Sequence, residues 1–250
     1  RHTRLQGDWS SDVCSSDLIL NYRQMGDIKM LGLKSVKLMV FFLTLILSGV
    51  FFTGTVLAKP DEGKGTSQKW AVVSGFRSAE FGMKERDVIK AIKNDFGLGK
   101  KQVSRKVHPN EKTVTLGIEV KKLLPESGTA KVFYIMGYKS KRLIHINVIW
   151  GKPVTKKPDA ESVVATANQL RNHFAQKKYQ KEGFALNAQL GEGVILVFQG
   201  KDRKGRAARL LLSNPKAEKD KKAGEDIALT LSYIEKPQDP DVFRIKDGDF

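Results

Sequence analysis

The chain has 250 residues, with 44 lysines and arginines against 27 acidic side chains, a formal net charge of +17. Its one cysteine, Cys14, lies far from any folded segment read below, which excludes disulfides, thiolate metal sites and a cysteine nucleophile from the body of the protein. Such a basic balance attracts polyanions, and it is equally the composition of a lysine-rich solubilising surface.

Residues 1–24 are set apart as a leader, and residues 7–18 within them show no helical or strand period. Gly7-Asp8-Trp9-Ser10-Ser11-Asp12-Val13-Cys14-Ser15-Ser16-Asp17-Leu18 resembles translated sequencing-adapter read-through, so this stretch is set apart as an artefact or untranslated leader. Residues 25–58 read as a signal peptide starting at Met25 or Met30. Lys29, Lys34 and Lys37 form a positive head, residues 38–52 an uncharged apolar run, and Val56-Leu57-Ala58 a cleavage site ending at Ala58. The competing reading is an uncleaved inner-membrane anchor, because the run approaches the ~20 residues that span a bilayer. Gly49, Gly54 and the Val-Leu-Ala end favour cleavage, and no cysteine stands at the cut to take a lipid. The expected destination is the periplasm or the exterior, with no integral membrane span after processing.

Residues 59–69 form a polar, glycine-bearing lead-in. Trp70-Ala71-Val72-Val73 is a candidate short strand. An amphipathic helix is expected from Phe81 to about Asp95, with Val88, Ile89, Ile92 and Phe96 on one face and Gly97 and Gly99 as its stop. Residues 113–120 alternate strictly. Residues 130–138 and 143–150 read as a hairpin around Lys139-Ser140-Lys141-Arg142. Residues 152–158, with Pro153 and Pro158, are a linker, after which Asp159 caps a helix to about Lys178 whose stripe is Val163, Ala167, Leu170 and Phe174. Residues 193–199 and 207–213 flank a second basic turn, residues 214–224 are a charged loop, residues 227–233 a last strand, and residues 237–250 a tail.

The order is helix then strands, twice. It predicts an α+β protein of two similar units, residues 70–151 and 159–236, each an amphipathic helix packed on an antiparallel sheet. The polar side of the strands carries Thr113, Thr115, Glu119, His145, Asn147, Thr230 and Ser232, expected to line an uncovered sheet face.

Phe81-Gly82-Met83, followed by Val88 and the pair Ala91-Ile92, resembles the start of the first helix in small envelope modules. These are the SmpA/OmlA-type outer-membrane assembly lipoproteins and the related fold of the secreted β-lactamase-inhibitor proteins. Lys84 stands where that family carries Ser or Thr. The resemblance implies helices on an antiparallel sheet, in places as a tandem pair, whose other face binds a protein partner. It carries no residue-level role.

No residue pattern calls for a cofactor or metal. His108, His145 and His173 lack a second ligand at a metal spacing, and no nucleophile elbow or phosphate-binding glycine loop occurs. His145, beside Asn147, is the one candidate for hydrolytic or small-ligand chemistry, and it reads more simply as a half-exposed polar residue. Two basic turns stand out instead: Lys139, Lys141 and Arg142 in the first half, and Lys201, Arg203, Lys204 and Arg206 in the second. Such tips form a cationic rim able to meet phosphates or carboxylates. In an exported protein the partners would be an anionic envelope component or a periplasmic or outer-membrane protein, and not nucleic acid. The expectation is therefore a non-catalytic binding protein of the cell envelope.

Overall fold

The computed structural model describes residues 68–214, 224–245 and 248. The segments read as leader, as signal peptide and as most of the lead-in lie outside the described residues, as do residues 215–223. No helix among the described residues is long and apolar enough to cross a membrane.

Helix α1, Glu85–Phe96, begins four residues later than its hydrophobic pattern predicts. Gly82, at φ 86°, turns the chain, and its N–H donates to the Leu143 carbonyl while the Leu143 N–H donates to Met83. Phe81-Gly82-Met83 thus stitches the helix start to the sheet instead of joining the helix. Lys84 at the N-cap offers no side-chain cap, and Glu85 and Asp87 in the first turn complement the helix dipole. Gly97, in the left-handed conformation, ends the helix by donating to Lys93. Helix α2, Ala160–Ala175, is capped by Asp159, whose carboxylate accepts from the Glu161 N–H at 3.1 Å. Val163, Ala167 and Phe174 of its stripe are buried, and Leu170 packs half-buried against them.

Ten strands are described. Gly75–Phe76 (β1) and Ala79–Glu80 (β2) form a small hairpin. Ser104–Val107 (β3), Val114–Val120 (β4), Ala130–Met136 (β5), Leu143–Gly151 (β6), Ala185–Gly191 (β7), Val194–Lys201 (β8), Ala207–Ser213 (β9) and Ala228–Ile234 (β10) form one sheet. Its order is β3-β4-β5-β6-β10-β9-β8-β7, with every neighbouring pair antiparallel. The strands of both halves therefore lie in a single sheet, joined where β10 pairs with β6 from Ala228–Gly151 to Ile234–His145. Trp70-Ala71-Val72-Val73 is not a strand; Trp70 makes only an isolated bridge to Lys178.

Register separates the two faces. Ile118, Val132, Val148, Leu231, Leu210 and Phe198 stand opposite one another across six strands, all buried and all in the core under the helices. One position along, Gly117, Phe133, Asn147, Ser232, Arg209 and Gln199 form the matching row on the other face. Side chains alternate between faces along a strand, so the first row is the core and the second is the polar face.

Candidate binding site at the turn end of the sheet

With all neighbours antiparallel, β3, β5, β10 and β8 run in the same direction. The turns that follow β3, β5 and β8, and the exit of the chain from β10, therefore gather at one end of the sheet. Both basic turns of the sequence are there, separated by three strand spacings, or about 14 Å.

The first turn, residues 137–142, is not bare. The tail that leaves β10 returns to it, and the Asp241 carboxylate accepts the Lys139 N–H at 2.9 Å and the Ser140 N–H at 2.8 Å. The Tyr138 N–H donates to the Asp241 carbonyl at 2.8 Å. A Cβ on Gly137 would collide with the Asp241 carboxylate and the Ser140 hydroxyl, so only glycine leaves room for this seat. Burial would raise the Asp241 pKa, but hydrogen bonds from the Ser140 side chain and the two backbone amides outweigh it and hold the carboxyl below its usual range. Arg142 donates to the Gly82 carbonyl at 3.0 Å, and Lys141 lies 5.1 Å over the Tyr138 ring. Lys139 is exposed. Farther along the tail, the Phe243 N–H donates to the Glu111 carbonyl in the β3–β4 turn, and the Phe243 ring meets Tyr138 edge-on at 5.4 Å. Burial raises the Glu111 pKa, with His108 and Arg244 opposing it.

The second turn, residues 201–206, is organised by its own acid. Asp202, 1% exposed, accepts from the backbone N–H groups of Val73, Lys204 and Arg206 and from the Arg206 guanidinium, with Nη2 at 2.8 Å. Arg206 is thereby a structural residue and not part of a free rim. Arg203 stacks 4.3 Å from the Trp70 ring, which Lys178 also approaches at 4.8 Å. Lys201 packs along Gly183. Lys204 is exposed, and no hydrogen bond or ion pair ties its ammonium to another described residue. The seven basic residues read from the sequence thus share one end of the sheet; Arg206 and Arg142 are hydrogen-bonded by the protein itself, and Arg203 and Lys141 lie over the Trp70 and Tyr138 rings.

Beneath the tail, a cavity of about 1370 Å³ runs from Lys139 and Arg142 down to His145 and Ile234. His145 is 3% exposed, and Asn147, Ser232, Thr113 and Thr230 are also buried, so most of the polar face is not the uncovered surface that alternation suggested; Glu119 is exposed and Thr115 half-buried. The His145 ring donates from Nε2 to Asn147 Oδ1 at 2.8 Å, and the Ser232 hydroxyl donates to the same oxygen at 2.7 Å. Burial, aided by the positive charge of Arg209 and opposed by the Asn147 hydrogen bond, pushes the His145 pKa down to about 4, so the ring is neutral at physiological pH. Asn147 Nδ2 has no hydrogen-bond partner among the described residues. Because Asn147 takes both hydrogens, His145 does not stand as a base on Ser232. The trio is a buried hydrogen-bonding cluster, of which His145 alone lines the cavity. His173 is exposed on α2 and His108 sits in the β3–β4 turn. No group of three potential metal ligands occurs among the described residues.

Asp241, Asp202 and Trp70 are the functional-end residues that sequence reading passed over. Asp202 stood inside the basic turn, where an Asp followed by Gly205 signals a turn held by an acid; Asp241 and Trp70 carried no local signal. Comparison with protein-family models, with curated proteins and with solved structures gives no match for this chain.

Proposed function

We propose that the protein is an exported, non-catalytic binding protein that contacts an anionic envelope component through the turn end of its sheet. The observation that supports this most is the strand order, which collects two basic turns from opposite halves of the chain along one edge. Cations spread over that width meet a charged surface together, and their contributions combine. Export rests on the signal-like segment ending at Ala58, outside the described residues. The same reading takes the chain as two similar α+β units, each giving a helix and four antiparallel strands to the common sheet, in keeping with the resemblance carried by Phe81-Gly82-Met83.

The test is binding to anionic and neutral lipid vesicles across a salt series. Binding should be confined to the anionic vesicles and weaken steeply as salt rises, since contacts of this kind are screened. Arg203→Ser with Lys204→Ser should weaken it severalfold more than Lys156→Ser with Lys157→Ser, an equal loss of charge at the opposite end of β6. Equal losses would mean that net charge alone is at work. Arg206 is left intact because its loss would disturb the turn.

A second reading is favoured by one observation, the cavity that reaches the His145–Asn147–Ser232 cluster: a small-ligand site in place of, or beside, the surface contact. The neutral imidazole lines the cavity without a nucleophile–base pair, so this reading also ends in binding and not hydrolysis. An Ile234→Trp variant that narrows the cavity beside His145 would weaken small-ligand binding and leave vesicle binding intact.

A further inference from the structure

The two basic turns share one feature beyond charge. Each is closed around a carboxylate that accepts backbone N–H groups of the turn. In the second turn the acid is Asp202, part of the turn itself and almost wholly buried. In the first, the acid comes from Asp241, about a hundred residues away in sequence, half-buried and carried on a tail that ends near the chain terminus. The first turn thus seats a carboxylate between the Lys139 and Ser140 amides, the Ser140 hydroxyl and the space beside Gly137, with the Lys139 charge alongside. The acid that fills it lies on the separate segment that follows β10, which Phe243 also fastens to Glu111 and Tyr138.

We infer that residues 137–142 form a binding site for a phosphate or carboxylate oxyanion, and that Asp241 is its resident internal competitor. This rests on the binding function proposed above and names how that end is regulated. While Asp241 is seated, the tail from Glu235 to Ile245 also forms one wall of the cavity. An external oxyanion that takes the Asp241 seat therefore releases one of the tail's anchors beside the cavity, while Phe243 still holds it to Glu111 and Tyr138. Successive backbone N–H groups in a turn are a general anion-binding device, and a carboxylate and a phosphate oxygen present them with the same acceptor. A competitor that occupies a site most of the time lowers apparent affinity by the fraction of molecules in which the site is open.

The test uses the full chain as expressed, and compares it with Asp241→Asn and with Asp239→Asn. Asp239 is exposed on the same tail and removes the same charge without touching the turn. Asp241→Asn should tighten binding to phosphatidylglycerol vesicles by about tenfold at low salt, and Asp239→Asn by less than about twofold. Titration with inorganic phosphate should move the backbone amide signals of Lys139 and Ser140 in Asp241→Asn, and leave them in place in the wild type. Gains with vesicles and with free phosphate identify a site for the oxyanion itself. A gain with vesicles alone, together with shifts of the same two amides, identifies a headgroup site. Equal gains from both variants, or vesicle binding with both amides unmoved, would overturn the inference while the surface-binding function stands. If neither the wild type nor Asp241→Asn binds anionic vesicles at all, both are overturned.

Discussion

Asp202 gathers the N–H groups of Val73, Lys204 and Arg206 and the Arg206 guanidinium, and it is almost completely removed from water. Removing one partner of a buried pair leaves the other charge and several amides unsatisfied, which costs far more than an exposed ion pair is worth. Asp202→Ala should therefore lower stability by about 3–5 kcal/mol, seen as a shifted urea midpoint; an unchanged midpoint would mean that water replaces the carboxylate freely. His145 gives a prediction in pH. Its folded pKa, about 4, lies below the ordinary value of 6.5, so between those limits the unfolded chain binds a proton that the fold refuses. That contribution is complete above about pH 6.5 and is lost as pH falls toward 4, by an amount on the order of 3 kcal/mol. Glu111, with its raised pKa, works in the opposite sense, so the quantity to compare is the difference between wild type and His145→Gln at each pH. That difference should shrink on acidification, and a constant difference from pH 7 to pH 4 would contradict a buried neutral ring. The basic residues were legible because lysine and arginine crowd a turn in sequence. Their engagement was not, since Asp241 and Trp70 reach the turns only through the fold.

The second helix shows why some elements are plain in a sequence. Val163, Ala167, Leu170 and Phe174 recur at helical spacing after an aspartate cap, and the helix starts where that pattern places it, ending at Ala175, short of the expected Lys178. Phe174 is 6% exposed and stacks on Phe198 at 5.2 Å, while Leu170 is only half-buried. Phe174→Ala should cost about 3–5 kcal/mol, and Leu170→Ala clearly less. Chemical denaturation of the two variants checks the order; equal costs would mean that the helix is rotated about its axis. Strands β4, β6, β9 and β10 were equally legible, since one side of each meets a buried core and must be apolar at every second position. Edge strands β3 and β7 were not. Ser104-Arg105-Lys106-Val107 is exposed throughout, and Ala185–Gly191 is largely so, which leaves nothing to enforce alternation. Phe81-Gly82-Met83 misled in the other direction, because its apolar residues pack at the helix start without joining the helix.

On the scale of the molecule, sequence order suggested two units and could not say how they meet, because pairing between the last strands of each half leaves no trace in local pattern. The seam is now the middle of the sheet. β6 is buried along its whole length, and β10 lies between β6 and β9. Val148 and Leu231 face each other in the core there, and Asn147 and Ser232 are hydrogen-bonded on the opposite face. Separating the halves would expose the Val148–Leu231 contact and break the hydrogen bonds of a full strand pair, so neither half retains a complete core alone. Cooperative units in a protein follow such shared contacts and not the order of elements along the chain. We predict one denaturant transition for the described body, with the amides of β6 and β10 exchanging only through global unfolding and those of edge strands β3 and β7 exchanging by local opening. Hydrogen exchange followed residue by residue through a denaturant series measures this directly. Two transitions, with residues 70–151 and 159–236 losing protection at different denaturant concentrations, would show instead that each half is held by its own helix and that the β6–β10 pair adds little.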